Sequence, residues 1–386
     1  MDFDYTEEQL MLKKTVREFA EKELAPQVHD YERHGPLNRE QTISFIKQLM
    51  PFGFYNGHMT EEYGGSNLSA LTYAIINEEL ARVWAGLAGL IWIAGSRPPN
   101  DVPDSERNEV RDMIRAGETI SAGAISEPDH GSDASYMSTT AVEDGDDYVI
   151  TGTKTWISNG PVADRITVHA SLKPGGGRDT IRTFRMNRKN HPWQVVRNNE
   201  LFGLKAWANG ELRFDDVRVP RTHMNDPKAS AGAQGKRVWN FQSPRTMLAT
   251  FATGIAQASV DAAIRYSQDR VQFGRPIASF QLVQGMIYEM VAETEAARFL
   301  TYRAIAMQDK GEDSTWQAAL AKGFATEVAH RVASHCVEIH GALGLLEGYP
   351  VERYFRDGRA LSIPDGTTEI QKLVVGRRLT GISAIQ

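Results

Sequence analysis

Apolar residues along the first 120 positions recur at helical spacing. Between Leu10 and Leu24 they form one stripe, and Thr6 and Gln9, just before it, have the spacing of a capping box. Pro26 is expected to end this first helix, because proline has no backbone N–H to donate. Similar stretches follow, and the pattern predicts an N-terminal all-helical domain over residues 1–120.

The pattern changes near residue 121. Short segments rich in valine, isoleucine, threonine and aromatic residues follow one another, separated by turn sequences, to about residue 222. Regular short strands of this kind are typical of a small barrel or sandwich. We therefore expect a central antiparallel β-barrel domain over residues 121–222.

Long helical patterns resume after a polar segment that begins at Arg221. The predicted helices cover residues 241–270, 279–310, 314–341 and 350–360, with a last one from residue 368. Helices of this length favour an up-and-down bundle, here a C-terminal four-helix bundle over residues 223–386. The expected fold class is a multidomain α+β chain in which helices, a β-barrel and a helical bundle follow in this order.

Composition and charge narrow the class of function. The 386 residues are 41% hydrophobic and 24% charged, an ordinary globular balance, and the net charge of −6 does not favour a nucleic acid partner. The longest apolar run, residues 84–95, is shorter than the roughly 18 residues that suggest a membrane span.

The single cysteine and the N-terminus suggest a compartment. Cys336 excludes an internal disulfide and is expected in the core. The N-terminus is acidic and polar, so it does not resemble a signal peptide. These features suggest a cytoplasmic protein.

Several common kinds of site are not expected. The sequence has no glycine-rich dinucleotide motif between a strand and a helix, no P-loop and no zinc-protease motif. His330, His335 and His340 are five residues apart, so successive side chains on a helix would point about 140° apart. They cannot share a metal ion from one helix face, and no metal site is predicted.

Three other stretches carry groups suited to binding. The polar turn "AISEPDHGSDASYM", which begins at Ala124, could bind an anion or a cofactor, or could be a solvated loop. In "TGTKTWISNG", Trp156 could lie against a flat heterocycle, although a core tryptophan is the simpler alternative. Arg270 and Arg275 flank an interhelical turn, where their guanidinium groups suit phosphate contact or a helix C-terminus.

Together with further stretches, these motifs resemble the acyl-CoA dehydrogenase family over nearly the whole chain. After the N-terminal helices, the motifs that occur in the family's order and spacing are "SEPDHGSD", "GTKTWISNG", "ELRFDDVRVP", "DRVQFGRPIASFQ", "EIHGALG", "YPVERYFRDGRALSI" and "DGTTEIQKLVVGR". No single motif is decisive, but eight features in order form a strong resemblance.

The resemblance implies non-covalently bound FAD and a homotetramer, or a dimer of such folds. It implies flavin contacts for Ala124, Ile125, Ser126, Ser132, Trp156, Ile157 and Ser158. It implies an approach to the FAD of a neighbouring subunit for Arg270, Phe273, Gln281, Glu338, Gly341 and Ala342. It implies proximity to the FAD phosphates for Thr367 and Glu369, and substrate contacts for Ser132, Arg245 and Gly366.

The stretch "SIPDGTTEIQK", residues 362–372, departs from the family at its centre. Thr368 and Gln371 have capping-box spacing, so a helix is expected to begin there and Asp365 to lie in the turn before it. The family usually has a glutamate here, which removes the α-proton of an acyl thioester while flavin N5 takes a hydride from the β-carbon. Asp365 is one methylene shorter, which retracts the carboxylate by roughly 1.5 Å.

This shortening leaves three alternatives open. A displacement of the base by about 1 Å can lower the rate about 10²-fold, so the shortening has to be accounted for. Either the loop lies closer to the substrate, or the substrate lies differently, or Asp365 is not the base. Near Pro244, where some branches of the family carry a relocated glutamate, the sequence has none. Trp207 replaces a small residue. Arg97 is a candidate substrate contact that would suit an anionic or polar acyl end, or is a surface arginine.

Three functional hypotheses follow. The first is FAD-dependent α,β-dehydrogenation of a short, cyclic or polar acyl-CoA, with Asp365 as the base and an electron-transfer flavoprotein as the electron acceptor. The second keeps the fold but changes the chemistry to nitroalkane oxidation with an aspartate base, or to desulfination of a sulfinoacyl-CoA. The third is a flavin-binding scaffold without catalysis, against which the net charge and the retained Arg245 argue.

Overall fold

The structure of the chain is a computed structural model that describes residues 4–95, 105–225 and 241–384. Helices occupy the first of these ranges and continue to Arg115, strands run from Ser121 to Asn225, and long helices follow from Gln242. This is the predicted order of elements. The exact domain boundaries stay a prediction.

The N-terminal region is helical, as its apolar stripe predicted. Its helices are α1 (Glu7–Phe19), α2 (Ala25–Glu32), α3 (Arg39–Leu49), α4 (Ala70–Gly95) and α5 (Arg107–Arg115). The capping box of Thr6 and Gln9 at the start of α1 is confirmed. The prediction that Pro26 ends the helix is wrong: a π-helical turn, Ala20–Leu24, connects α1 to α2, and Pro26 lies in the first turn of α2, where its missing N–H costs nothing.

Helix α4 is the buried centre of this region. Its backbone bends at Trp84 (φ −151°, ψ 83°), whose indole N–H donates to Glu32 at 2.9 Å. Two consecutive carboxylates of α4 reach the neighbouring helices. Glu79 pairs with Arg17 of α1 at 2.8 Å, and Glu78 pairs with Arg298 at 3.0 Å. Both glutamates are 1% exposed, so the pairs stabilise one arrangement of helices rather than a surface.

The central region forms one mixed sheet. Its strands are β1 (Ser121–Ala124), β2 (Thr140–Asp144), β3 (Asp147–Ser158), β4 (Arg165–Ser171), β5 (Ile181–Asn187), β6 (Gln194–Asn198), β7 (Asn209–Pro220) and β8 (Met224–Asn225). They follow the order β6-β7-β3-β2-β4-β5-β8, with β1 paired to β4 in parallel. Among the described residues β6 and β8 do not pair, so the predicted barrel is not confirmed, and the parallel pairs show that the sheet is not purely antiparallel.

Alternation of buried residues explains the register of β7. Leu212 and Phe214 face the core two residues apart, and so do Val217 and Val219, but Phe214 and Val217 are three residues apart. A register shift opposite Ile150 and Gly152, together with the positive φ of Asp216 (51°), marks a β-bulge that restores the inward face.

The C-terminal helices match the predicted ones closely. They are α6 (Gln242–Asp269), α7 (Gln281–Asp309), α8 (Thr315–His340), α9 (Pro350–Ala360) and α10 (Thr368–Thr380), with a small hairpin of β9 (Val271–Gln272) and β10 (Arg275–Pro276) between α6 and α7. By length and composition α6 could cross a membrane, but most of its apolar stretch is buried inside the protein, as in a core helix. Cys336 lies fully buried on α8, as predicted, and burial raises the pKa of its thiol to about 12.

Helices α6 and α8 lie side by side in the same direction. At their N-terminal ends, the backbone N–H of Ser314 donates to Gln242 at 3.1 Å. Near their C-terminal ends, the rings of Tyr266 and His340 stack with centroids 4.3 Å apart. The bundle therefore has two distinct ends, separated by the length of a 28-residue helix, about 42 Å.

The contact between α4 and Trp207 gives a stability prediction. A Cβ atom on Gly89 would lie 2.2 Å from the Trp207 ring, so Gly89→Ala forces the two elements apart. We expect a loss of about 1–3 kcal/mol in the free energy of unfolding, measured by urea titration. Gly285→Ala on α7 is the matched control, since its Cβ atom meets nothing within 4 Å, and it should leave stability unchanged or raise it by about 0.5–1 kcal/mol.

Candidate active site

The predicted site residues on the bundle fall into two groups, one at each end. Arg245 lies near the start of α6. Asp365 lies in the turn before α10, close enough to Arg245 for the two charges to interact. Arg270 follows the other end of α6, 25 positions away, which corresponds to roughly 37 Å along a helix. Phe273, Gln281, Glu338, Gly341 and Ala342 belong to this second end.

The turn of Asp365 has an unusual backbone. Asp365 has φ of 52° and Gly366 has φ of 95°, and aspartate is among the few residues that tolerate the left-handed region. The φ of Gly366 is one that residues with a side chain rarely adopt, so this position favours glycine.

Two side chains hold this turn from inside. The ammonium group of Lys322, on α8, donates to the carbonyl oxygens of Ser362 at 2.6 Å and Gly366 at 2.7 Å. The Gln371 amide donates to the carbonyl oxygens of Gly366 at 2.7 Å and Asp365 at 3.1 Å. Lys322 is 0% exposed and Gln371 is 1% exposed. The carbonyl groups on both sides of the Asp365 side chain are thus fixed by buried donors.

The predicted capping box at the start of α10 is wrong in its residues. Thr367, not Thr368, is the N-cap, and its hydroxyl accepts from the N–H of Ile370. Thr368 instead donates to Glu327 at 2.7 Å. Gln371 does not reach back to the cap, because its amide holds the Asp365 turn.

Burial and two cations act in opposite directions on the carboxyl group of Asp365. Burial raises its pKa above the usual value for aspartate, and the positive charges of Lys322 and then Arg245 oppose this. The group is therefore a stronger base than a solvated aspartate, while the cations favour its ionised form. This combination suits a proton acceptor.

Arg245 is buried but incompletely paired. It is 8% exposed, and burial lowers the pKa of its guanidinium against the opposing charge of Asp365. Its guanidinium carbon lies 5.2 Å from the centre of the Phe241 ring, and its Nε atom has no hydrogen-bond partner among the described residues. A buried N–H donor without a partner is costly, so this group suits a ligand acceptor, in line with its prediction as a substrate contact.

A groove of about 800 Å³ lies between α8 and α10. Thr367 and Glu369, both predicted near the FAD phosphates, line it together with Arg331 and Arg359. The N-terminus of α10 adds free backbone donors and a partial positive charge at the same place. Arg331 pairs with Glu293 at 3.1 Å and Arg359 with Glu327 at 3.8 Å, so the donors suited to a phosphate here are those of the helix start.

The polar turn after β1 is held by a buried ion pair. Glu127 accepts from the Lys154 ammonium at 2.8 Å and from the backbone N–H groups of Ser138 and Thr139 at 2.5 and 2.9 Å. Lys154 also donates to the carbonyl of Ile125 at 2.9 Å. Burial acts to raise the pKa of Glu127, but Lys154 and these hydrogen bonds outweigh it. The pKa is therefore below its usual value, and the carboxylate stays ionised.

This ion pair fixes the segment that carries the predicted flavin contacts. Thr155, next to Trp156, donates its backbone N–H to the carbonyl of Ser126 at 2.9 Å, so the turn with Ser126 and Ser132 lies against strand β3 with Trp156 to Ser158. Trp156 has φ of 60° and is 58% exposed. The alternative of a core tryptophan is wrong, and an exposed indole suits stacking on a flat ring system. The side chains of Ala124 and Ile157 are buried, so these residues could contact a flavin only through their backbone groups.

The second end of the bundle exposes apolar side chains. Phe273, with φ of 53°, is 93% exposed at the tip of the β9–β10 hairpin, and Leu282, in the first turn of α7, is 84% exposed. Arg275 lies over the Phe280 ring at 4.4 Å. A cluster of exposed large apolar residues marks an interaction surface.

Sequence reasoning missed the buried groups that hold the site. Lys322 and Lys154 carry no motif of their own, because their acceptors include backbone carbonyl oxygens that no residue pattern reveals. Trp207 is 4% exposed and packs on α4. Arg97, the candidate for an anionic acyl end, lies outside the described residues.

The Glu127–Lys154 pair gives a second stability prediction. Lys154→Met leaves Glu127 buried without its cation, which should lower the free energy of unfolding by about 3–5 kcal/mol in a denaturant titration. Arg213→Ala is the control, because its partner Asp215 is exposed and such pairs contribute only about 0–1 kcal/mol. Equal effects of the two substitutions would contradict the structural role of the buried pair.

Comparison with known proteins identifies the family. Three family models match: acyl-CoA dehydrogenase N-terminal domain over residues 6–97, middle domain over 122–217 and C-terminal domain over 237–380. The probable acyl-CoA dehydrogenase YngJ of Bacillus subtilis is 32% identical and covers 98% of this chain and 100% of its own length. The caffeyl-CoA reductase-Etf complex subunit CarC of Acetobacterium woodii is also 32% identical, over 97% of this chain and 99% of its own.

Among solved structures, butyryl-CoA dehydrogenase from Megasphaera elsdenii superposes with a TM-score of 0.88 at 31% identity, covering 98% of this chain and 100% of that one. The match therefore spans all three regions of the fold and both groups of site residues. The chain belongs to the acyl-CoA dehydrogenase family and is an FAD-dependent oxidoreductase.

Proposed function

We propose that the chain catalyses α,β-dehydrogenation of a short, cyclic or polar acyl-CoA thioester, with Asp365 as the base that removes the α-proton. One observation carries the proposal. The carboxyl group of Asp365 lies in a turn that buried donors hold on both sides, with a raised pKa and two cations nearby. A fixed carboxylate with increased basicity is what abstraction of a weakly acidic α-proton requires.

The groups around Asp365 have separate tasks in this proposal. Asp365 accepts the α-proton on one oxygen, and the loss of its negative charge is made easier by burial. A backbone N–H of the same turn is the expected donor to the developing enolate oxygen. Arg245, whose Nε atom lacks a partner among the described residues, contacts the CoA part of the substrate.

FAD supplies the hydride acceptor for the β-hydrogen. The Thr367 hydroxyl and the backbone N–H groups of the first turn of α10, including that of Glu369, would hold its phosphates. Trp156 would lie against the ring system, with Ser126, Ser132 and Ser158 as polar partners from the turn and strand that the Glu127–Lys154 pair fixes.

A second copy of the chain completes the site in this proposal. Arg270, Phe273 and the start of α7 lie at the opposite end of the bundle from Asp365, too far away to meet the same flavin within one chain. The exposure of Phe273 and Leu282 supports a contact between copies there. We propose that the protein assembles as a homotetramer in the cytoplasm.

The electron acceptor is proposed to be an electron-transfer flavoprotein. The relative CarC is named as a subunit of a complex with Etf.

A second candidate function remains because of one residue. Aspartate in place of the family's usual glutamate also fits nitroalkane oxidation with an aspartate base. Desulfination of a sulfinoacyl-CoA, with Arg97 holding the sulfinate, is the other form of this alternative.

The first test is an anaerobic absorbance titration of the FAD-loaded protein with butyryl-CoA, cyclohexanecarbonyl-CoA and glutaryl-CoA. We expect at least one thioester to bleach the flavin band in the wild type. Asp365→Asn should lower the rate of bleaching by several orders of magnitude, because an amide cannot accept the proton. Asp216→Asn is the matched control, since Asp216 also has a positive φ (51°) but lies in the β-bulge of the sheet.

Two outcomes would oppose the proposal. Full bleaching by Asp365→Asn would remove Asp365 from the mechanism while leaving dehydrogenation in place. A flavin band that none of the thioesters bleaches would favour the alternatives, which oxygen consumption with nitroethane and sulfite release from a sulfinoacyl-CoA would then separate.

The role of a second copy is tested at the exposed hairpin. Phe273→Asp should lower the molar mass in light scattering and increase the loss of FAD on gel filtration, because a charge replaces an apolar contact. Leu10→Asp, at a 51% exposed position of α1, tests whether any surface charge has this effect. Unchanged mass and FAD content in Phe273→Asp would contradict the proposed interface.

A further inference from the structure

Lys322 is a buried lysine whose ammonium group donates to the turn that carries Asp365. It lies in the second turn of α8, is 0% exposed, and directs its ammonium group at the turn before α10. An ammonium group has three N–H donors and no acceptor. Two of these donors are used by the carbonyl oxygens of Ser362 and Gly366, at 2.6 and 2.7 Å.

These two acceptors bracket Asp365 along the chain. Ser362 follows the last turn of α9, and Gly366 precedes the N-cap of α10, so the ammonium joins the entry and the exit of the turn. The enclosed residue has a positive φ that a non-glycine residue adopts only when its surroundings fix it. Without Lys322, both carbonyl groups would lose a buried charged donor, and Gln371 would hold the exit alone.

Lys322 is poorly suited to be the base itself. A proton acceptor needs a free lone pair directed at the substrate, and this ammonium group is enclosed and donates to two carbonyl oxygens. Even in its neutral form, two N–H donors would remain engaged there. The geometry separates the two groups: the carboxylate is in the turn, and the cation is behind it.

We propose that Lys322 is a positioning residue for the α-proton abstraction: it fixes the turn of Asp365 from behind and supplies the positive charge that keeps the shortened carboxylate ionised. This inference rests on the proposed role of Asp365 as the base. It explains how a carboxylate one methylene shorter than usual can have a single defined position, since the backbone that carries it is fixed at both ends.

The charges around Lys322 define a pH dependence. Burial lowers the pKa of Lys322 to about 8, which Asp365, Glu327 and Glu369 oppose and Arg245 reinforces. The rate of proton abstraction should rise with pH as Asp365 ionises. It should fall above about pH 8, because a neutral amine at Lys322 donates weaker hydrogen bonds to the turn than an ammonium group does and positions Asp365 less firmly. Arginine stays protonated over this range, so Lys322→Arg should remove the alkaline decrease.

The experiment compares Lys322→Met and Lys322→Arg with the wild type, all loaded with FAD. The thioester that bleaches the wild-type flavin fastest is used in stopped-flow reduction from pH 5 to pH 10. Lys322→Met should reduce the rate about 10²-fold, as a displacement of about 1 Å does, and shift the acid limb to higher pH. Lys322→Arg should keep the acid limb of the wild type. Lys310→Met, an exposed lysine at the end of α7, is the control.

An infrared titration provides a readout that needs no turnover. The difference spectrum between each protein and its own Asp365→Asn derivative isolates the carboxyl stretch of Asp365. Its midpoint should move to higher pH in Lys322→Met, because the opposing cation is gone, and stay near that of the wild type in Lys322→Arg. If Lys322→Met does not fold, the wild type and Lys322→Arg still decide, through the alkaline limb and this midpoint.

The results distinguish this inference from the proposed function. Two results in Lys322→Met would overturn the role of Lys322 and leave dehydrogenation intact. One is a rate and pH profile like those of the wild type. The other is a slower rate with no shift in the midpoint of the acid limb or in the infrared midpoint of Asp365. An alkaline limb that persists unchanged in Lys322→Arg would also overturn it. If no thioester reduces the wild type, the proposed function fails, and the infrared midpoints alone test the coupling of Lys322 to Asp365.

Discussion

The hydrogen bonds from the buried ammonium of Lys322 to Ser362 and Gly366 are the constraint on which the candidate site depends. They connect α8 to the segment between α9 and α10, so the position of Asp365 follows from the packing of the helical bundle. The parallel arrangement of α6 and α8 brings Arg245 to the same end. The turn that carries Asp365 is thereby attached to a buried helix.

The same device occurs on the other side of the proposed flavin site. Lys154 is also 0% exposed, and it too donates to a backbone carbonyl, that of Ile125, in addition to the carboxylate of Glu127. Lysine suits this role because its single charged group sits on a flexible stem that can span from a rigid element to a loop. Two loops that carry functional groups are thus fixed by buried lysines, one from a helix and one from a strand.

The sequence predicted the elements well because their signals are local. The helical patterns gave the bounds of α6 to α9 to within about two residues and the start of α10 at residue 368, and the capping box at Thr6 was correct. Prediction failed where the outcome depends on contacts between distant segments. The π-helical turn lets the chain continue past Pro26, and strand pairing that includes parallel neighbours decides the sheet topology.

For the same reason, the sequence predicted only some of the residues of the candidate site. Asp365 and Arg245 stood out through family motifs, but their neighbour Lys322 is separated from Asp365 by 43 positions, and it donates to carbonyl groups. Gln371 had the spacing of a capping residue, yet it is used to hold the turn, because the Asp365 and Gly366 carbonyl oxygens lie within reach of its amide. Such roles depend on tertiary structure and not on residue pattern.

The most direct test of the account is the distance between Asp365 and the α-carbon of a bound thioester. A crystal structure of the chemically reduced protein with FAD and that thioester would provide it, since reduced flavin cannot accept the hydride. The account predicts a carboxylate oxygen of Asp365 within about 3.5 Å of the α-carbon, with Lys322 still bonded to the turn. A separation above about 5 Å, with another basic group closer, would contradict it.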